Sequence, residues 1–144
     1  MNDEMSARCA RSMFENDAAT RSFGIRITEN GPGTATATMT VTDSMLNGFG
    51  VCHGGFLFAL ADSAFAYACN SYNRLTLAAG GSIEFLRPAQ GGDALTASAE
   101  ERSRGGRSGI YDVCIRNQRG DEIALFRGRS HSTSRPILPD DATN

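Results

Sequence analysis

Histidine is scarce in this chain of 144 residues, with two copies, and the four cysteines are not arranged for metal or disulfide chemistry. Cys9, Cys52, Cys69 and Cys114 include no C-x-x-C pair and sit in helix-like or strand-like surroundings. That argues against a zinc site and against a disulfide framework, and reduced thiols are the default. No carboxylate stands at ligand spacing from His53 or His131, so no metal is expected. An excess of charge is missing too: the net charge is −2, which gives no bulk attraction to nucleic acid or to an anionic membrane. The longest apolar run is about 14 residues, short of the roughly 18 to 20 that a membrane span requires. The first stretch carries Asp3, Glu4, Arg8, Arg11, Glu15 and Asp17 where a secretory signal would be apolar, so a cytoplasmic location is expected. Neither a repeat nor a linker divides the chain. One domain is expected over 1–144, with its core at about 16–132 and a Pro- and Asp-containing tail from Ser134 that frays.

The chain is organised around residues 51–73, which begin Val-Cys-His-Gly-Gly and continue as the apolar run. Between Phe56 and Cys69 the side chains are apolar, aromatic or small except at Asp62 and Ser63. Such a helix is hydrophobic nearly all round and is expected to be buried rather than amphipathic. Burying it would bury Asp62, and an ionised carboxylate out of water costs several kcal/mol, on the order of 5, unless paired or hydrogen-bonded. A helix serving the core alone would avoid that cost.

Around this helix the sequence reads as strands. Residues 5–14 suggest a short helix, with Met5, Cys9, Met13 and Phe14 one or two turns apart. Residues 23–28 alternate Phe23, Ile25 and Ile27 with polar or small neighbours, and a dense turn signal follows at 29–33. Residues 34–42 then alternate without a break, threonines on one face and Ala35, Ala37, Met39 and Val41 on the other, which makes the pair a hairpin. Beyond the apolar helix, strands are expected at 77–86, 94–101, 108–116 and 122–131, with Gly105-Gly106 suited to a two-residue hairpin turn. The fold class is α+β: a long central helix wrapped by a curved antiparallel sheet, with an extra N-terminal helix. One helix cannot cover six strands. The faces left over, including 34–42, are expected to pair with another copy of the chain.

Chemistry is expected at the start of the central helix. If it begins at Gly54 or Gly55, its first amides lack intrahelical partners and carry the positive end of the helix dipole. The absent side chains would let a carbonyl oxygen approach either amide, as acyl transfer requires. Asp62 lies roughly 12 Å further along the axis, too far to act on a carbon held at the same helix's N-terminus. Two such helices, antiparallel about a two-fold axis, would bring Asp62 of one copy to His53-Gly54 of the other.

These residues carry a resemblance. Asn47 followed by His53-Gly54-Gly55, then Asp62, then Ile83-Glu84-Phe85-Leu86-Arg87-Pro88, resemble the hotdog-fold acyl-CoA thioesterases of the phenylacetic-acid-degradation type, over about 16–131. The resemblance implies a dimer with a continuous sheet and shared active sites, commonly assembled into a tetramer, that hydrolyses small-molecule acyl-CoA thioesters. It implies an aryl acyl group, phenylacetyl or hydroxyphenylacetyl, and no cofactor, coenzyme A being part of the substrate. By the same resemblance Asp62 is nucleophile or general base, the Gly54 amide polarises the carbonyl with Gly55 as the fallback donor, and His53 and Asn47 orient the reactants. Some relatives carry a hydroxyl residue on the strand after the helix, where this chain has Ala78-Ala79-Gly80-Gly81; any such help would come from Ser63 or Ser82, or be absent.

The phosphates of coenzyme A favour arginine, whose planar fork binds phosphate in a bidentate way. Arg102, Arg104 and Arg107, about the Gly105-Gly106 turn, and Arg87 are the candidates, against the alternative that hairpin-tip arginines are simply solvated. The other bland readings are a structural carboxylate at Asp62, a packing role for Cys52, a surface position for His131, and core or dimer contacts for Phe58, Phe65 and Tyr67. A hotdog-fold hydratase or dehydratase and a non-catalytic acyl-CoA sensor are the competing functions. The two glycines after His53 favour hydrolysis.

Overall fold

The apolar run folds as expected into a 16-residue helix, α3 (Gly54–Cys69), and the sheet closes around it. The structure, a computed structural model, describes residues 3–139. Two helices, α1 (Asp3–Glu15) and α2 (Ala18–Ser22), precede β1 (Arg26–Gly31) and β2 (Thr34–Thr40). After α3 come β3 (Thr76–Phe85), β4 (Ala94–Gly105), β5 (Ser108–Arg116) and β6 (Glu122–Ser132). The six strands form one sheet in the order β1-β2-β4-β5-β6-β3, with every neighbouring pair antiparallel.

Side-chain size decides how close helix and sheet approach. The inward residues of β2 and β4 include Ala35, Ala37, Ala97 and Ala99, all buried, and they meet Ala61, Ala64 and Ala68 of α3 in one core. Further along the sheet the gap widens and rings fill it: Phe65 lies 5.6 Å from Tyr111 and 5.8 Å from Phe126, centroid to centroid. A Cβ at Gly128 would sit 2.9 Å from both Phe65 and Phe126, so this strand position has room for glycine alone. Burying one such ring contributes about 2 to 3 kcal/mol.

Several expectations are corrected. Residues 23–24 end α2 and do not begin a strand: Phe23 caps the helix and Gly24 has φ +71°, so β1 starts at Arg26. The β4–β5 turn is Gly106-Arg107, since Gly105 already pairs with Ser108, and Gly106 supplies the positive φ of +60°. Within the sheet β2 (Thr34–Thr40) lies between β1 and β4, and of the two edges, β1 and β3, the latter is exposed along most of its length. The tail does not fray at Ser134: Asn73 Oδ1 accepts the amides of Ile137 and Leu138, and Arg135 O accepts that of Leu75. Residues 140–144 of that tail lie outside the described residues.

The largest departure concerns α3 itself. Leu57, Leu60, Ala61, Ala64, Phe65 and Ala68 are buried, but Gly55 and Phe58 are exposed and Ala59, Asp62 and Ala66 half-buried. At 100° per residue those five share one side of the helix. The sheet leaves this side open because β3, the neighbouring strand, ends it as an edge.

Candidate active site

At the head of α3, His53 is the N-cap, with extended backbone, and its Nδ1 accepts the Gly55 amide at 2.9 Å. An imidazole whose Nδ1 accepts carries its proton on Nε2, so the exposed His53 presents an Nε2–H donor outward. The Gly55 amide is thereby occupied. The Gly54 amide has no hydrogen-bond partner among the described residues, as expected of the first helical position. Phe85, at the end of β3, lies over Gly54 so closely that a Cβ there would meet its ring at 2.8 Å. Glycine is therefore required here for packing under the ring.

The loop before His53 is held by Asn47. Its Oδ1 accepts the amides of Phe49 (2.8 Å) and Val51 (3.3 Å), while its own amide donates to Val51 O at 2.8 Å. The Leu46–Cys52 bridge and the His53 N–H to Met45 O bond then dock the loop on the short helical turn Asp43–Met45. With Oδ1 engaged, the free group of Asn47 is its NH2, which has no partner among the described residues and can only donate. The Cys52 thiol is buried and its pKa raised by that burial, which removes it as a thiolate nucleophile.

Asp62 stands on the open side of α3, two turns from Gly54. It is half-buried rather than enclosed and makes no hydrogen bond among the described residues, so nothing in this chain compensates its charge. Partial burial raises its pKa, and Asp17 adds to the shift. Asp17 was not foreseen. It caps α2 through Thr20 N at 3.2 Å and accepts the Tyr67 hydroxyl at 3.0 Å, which sets a second carboxylate against α3, the helix that carries Asp62. The Ser63 hydroxyl bonds Thr20 at 3.2 Å, and Ser82 lines the outer face of the sheet with Glu84 and Arg127. Among the described residues no group of histidine, cysteine and carboxylate side chains is clustered to hold a metal.

The four candidate arginines divide. Arg87 donates to Glu122 O at 2.9 Å, and Arg102 is ion-paired with Glu100 and Asp112, each at 3.5 Å. Arg104 and Arg107 instead share a cleft at the other end of α3 with Arg74, which the sequence reading missed. Nothing in the spacing of Arg74 marks it. Only the return of β6 beside β3 brings it to the β4–β5 turn.

Comparison with known proteins agrees with this geometry. The family model described as Thioesterase superfamily matches residues 49–124, which include the Asn47 loop's end, the His53-Gly54-Gly55 helix start and Asp62. The chain is 52% identical over 122 residues, 85% of its length and 87% of the relative's, to the acyl-coenzyme A thioesterase PaaI of Escherichia coli K12. The solved structure of E. coli PaaI, from the phenylacetic acid degradation operon, superposes with a TM-score of 0.91 at 48% identity, covering 93% of this chain and 97% of that one. A hypothetical thioesterase of Streptococcus pneumoniae, solved with coenzyme A, superposes with a TM-score of 0.80 at 27% identity, covering 86% and 98%. No helix among the described residues is long and apolar enough to cross a membrane. With a free amide at a His-Gly-Gly helix start, a carboxylate on the open side of that helix, and matches of this extent, the chain belongs to the thioesterase superfamily and has its hotdog fold.

Proposed function

We propose that the protein is a cytoplasmic acyl-CoA thioesterase that hydrolyses aryl-acyl-CoA thioesters, phenylacetyl-CoA or hydroxyphenylacetyl-CoA, in aromatic catabolism. The observation that carries the reading is the unclaimed Gly54 amide at the positive end of α3, with Gly55 held by His53 and therefore out of competition. The Gly54 N–H receives the negative charge that develops on the thioester oxygen. His53 Nε2–H and the Asn47 NH2 are donors for orienting the thioester and the attacking group. Asp62 of a second copy either attacks the carbonyl carbon, releasing coenzyme A as thiolate and leaving a mixed anhydride for water, or takes the proton of an attacking water. No cofactor enters either route.

The site is complete only in a dimer. Asp62 and Gly54 of one chain are roughly 12 Å apart along α3. The open side of the helix and the bare β3 edge border one another, and Phe58, Leu77, Phe85 and Leu86 are exposed there. Joining two β3 edges about a two-fold axis covers this apolar surface and sets the helices antiparallel. A tetramer of two such dimers is the assembly we expect. The hydratase and sensor readings have no observation in their favour.

The test is coenzyme A release, by thiol titration, across phenylacetyl, hydroxyphenylacetyl, short straight-chain and long-chain CoA thioesters. Preferential turnover of the aryl esters is the expected result; binding without turnover of every ester would overturn the reading.

A further inference from the structure

We infer that Phe56, backed by Phe23, is a positioning residue: it seats the His53 imidazole so that Nδ1 keeps the Gly55 amide and leaves the Gly54 amide open at the head of α3. The catalytic consequence rests on the thioesterase reading. The seat itself does not.

His53 is exposed, so burial does not fix its ring. A hydrogen bond, a floor and a wall do. Nδ1 accepts the Gly55 amide at 2.9 Å. The ring lies against Gly55, where a Cβ would come within 3.2 Å of Nδ1 and 3.5 Å of Cε1, so glycine makes the floor. Phe56, close to one helical turn along, is the wall: it stands perpendicular to the imidazole, with 6.4 Å between centroids and 88° between planes. That is the edge-to-face arrangement aromatic rings favour. The hydrogen bond alone leaves a choice, because an imidazole turned about its Cβ–Cγ bond presents Cδ2 to the amide in place of Nδ1. The Gly55 N–H is then free to compete with that of Gly54 for the thioester oxygen. Floor and wall together remove the choice.

Phe56 is itself held. At about 100° per residue, Phe56, Ser63 and Tyr67 fall within roughly 20° of one line along α3, and α2 covers that line. The Phe23 ring meets Phe56 edge-on, at 5.3 Å and 79°. Thr20 Oγ1 and Ser63 Oγ share a hydrogen bond at 3.2 Å, and Asp17 Oδ2 accepts the Tyr67 hydroxyl at 3.0 Å. Phe23 closes α2, its N–H bonded to Ala19 O and Arg21 O, so its ring is carried on fixed backbone. The contacts run in opposite order along the two helices, which makes α2 a short antiparallel brace. The imidazole therefore ends a row of packed rings, His53, Phe56 and Phe23, and is not a free side chain. The same brace bonds Ser63, the neighbour of Asp62, so it supports both of the groups that one chain contributes to the two shared sites.

The test uses the full-length protein and compares Phe56→Leu, which keeps the apolar volume and loses the ring, with Phe56→Tyr, which keeps the ring. In nitrogen–proton correlation spectra the native Gly55 amide proton is expected at the low-field position of a bonded amide, with His53 in the Nε2–H tautomer. Phe56→Leu is expected to move that proton upfield and to mix the His53 tautomers. It should also lower kcat for phenylacetyl-CoA on the order of fivefold at native KM, within what a perpendicular ring pair contributes. Phe56→Tyr is expected to match the native protein in both readouts, and Phe23→Leu to shift both in the same direction by less. A native Gly55 resonance in Phe56→Leu would overturn the seat, whatever happens to kcat. A raised KM at native kcat would set Phe56 against the substrate and overturn the positioning role, as would equal losses in the leucine and tyrosine variants. If the native protein hydrolyses no CoA thioester, the thioesterase reading fails, and the Gly55 resonance still decides the seat.

Discussion

The two sides of α3 lie about half a turn apart on one helix and differ in what the chain asks of them. On the closed side, Leu60, Ala61, Ala64, Phe65 and Ala68 are at most 1% exposed and pack into the core under the sheet. On the open side, Gly55 and Phe58 are exposed and Asp62 and Ala66 half-buried, with the Phe58 ring against Phe126 at 5.3 Å. Composition hardly separates them, since both are rich in alanine and phenylalanine. What separates them is the sheet, which runs out at β3. A helix that is apolar all round suggests complete burial, and the difference between its two sides is the observation behind the dimer proposed above.

The contrast implies that open-side changes remove activity and spare stability, and closed-side changes do the reverse. Asp62→Asn is expected to have the largest effect, a loss of turnover of about 10³-fold or more. Its thermal midpoint should stay level or rise, because the pKa of Asp62 is raised in the folded chain and the ionised form is therefore the disfavoured one at neutral pH. An unchanged kcat would remove Asp62 from the mechanism. Phe65→Ala should come next, costing about 3 to 5 kcal/mol in denaturant unfolding through the cavity it leaves, with turnover per folded molecule near native. A smaller cost would mean that Tyr111 and Phe126 collapse into the space.

Gly54→Pro tests the amide. Proline is accepted at the first helical position and deletes the N–H, and it should lower kcat by about 10² to 10³. Phe85→Ala in the same background makes room for the ring, so recovery of kcat in the double variant would assign the defect to packing instead. Mixing the Gly54→Pro and Asp62→Asn proteins tests sharing directly. A mixed dimer assembles one site with both defects and one with neither, so activity should reappear, about half the native value per mixed dimer. Sites contained within single chains would show no recovery.

The smallest effect is on pH dependence. Asp62 has to be ionised to act, and its pKa is raised first by partial burial and then by Asp17. The acid limb of kcat/KM should therefore lie above the ordinary carboxylate range. Asp17→Asn, which keeps a capping side chain for Thr20 N, should move that limb to lower pH and leave the plateau unchanged. An unmoved limb would show that the two carboxylates are not coupled.

Much of this was legible in the sequence, for reasons that are local. Strict alternation at 34–42 could satisfy one buried face only as a strand, and His53 before two glycines and an apolar run is a helix start with access to its amides. Asp62 was conspicuous because a carboxylate in an apolar helix needs an explanation. The roles of Gly54 and Gly55 were not separable, since only the position of the His53 ring shows that Nδ1 occupies the second amide. Nor was the Gly106-Arg107 turn, which is set by the pairing of Gly105 with Ser108.

What the sequence determined by itself is the set of elements and the polar residues placed against its own hydrophobic pattern, because periodicity and backbone chemistry act over a few residues. The tertiary structure decided which side of α3 stays open, which strand is the bare edge, and that Arg74 joins Arg104 and Arg107 in one cleft. Those facts depend on contacts between residues far apart in the chain, and no local pattern encodes where a sheet stops.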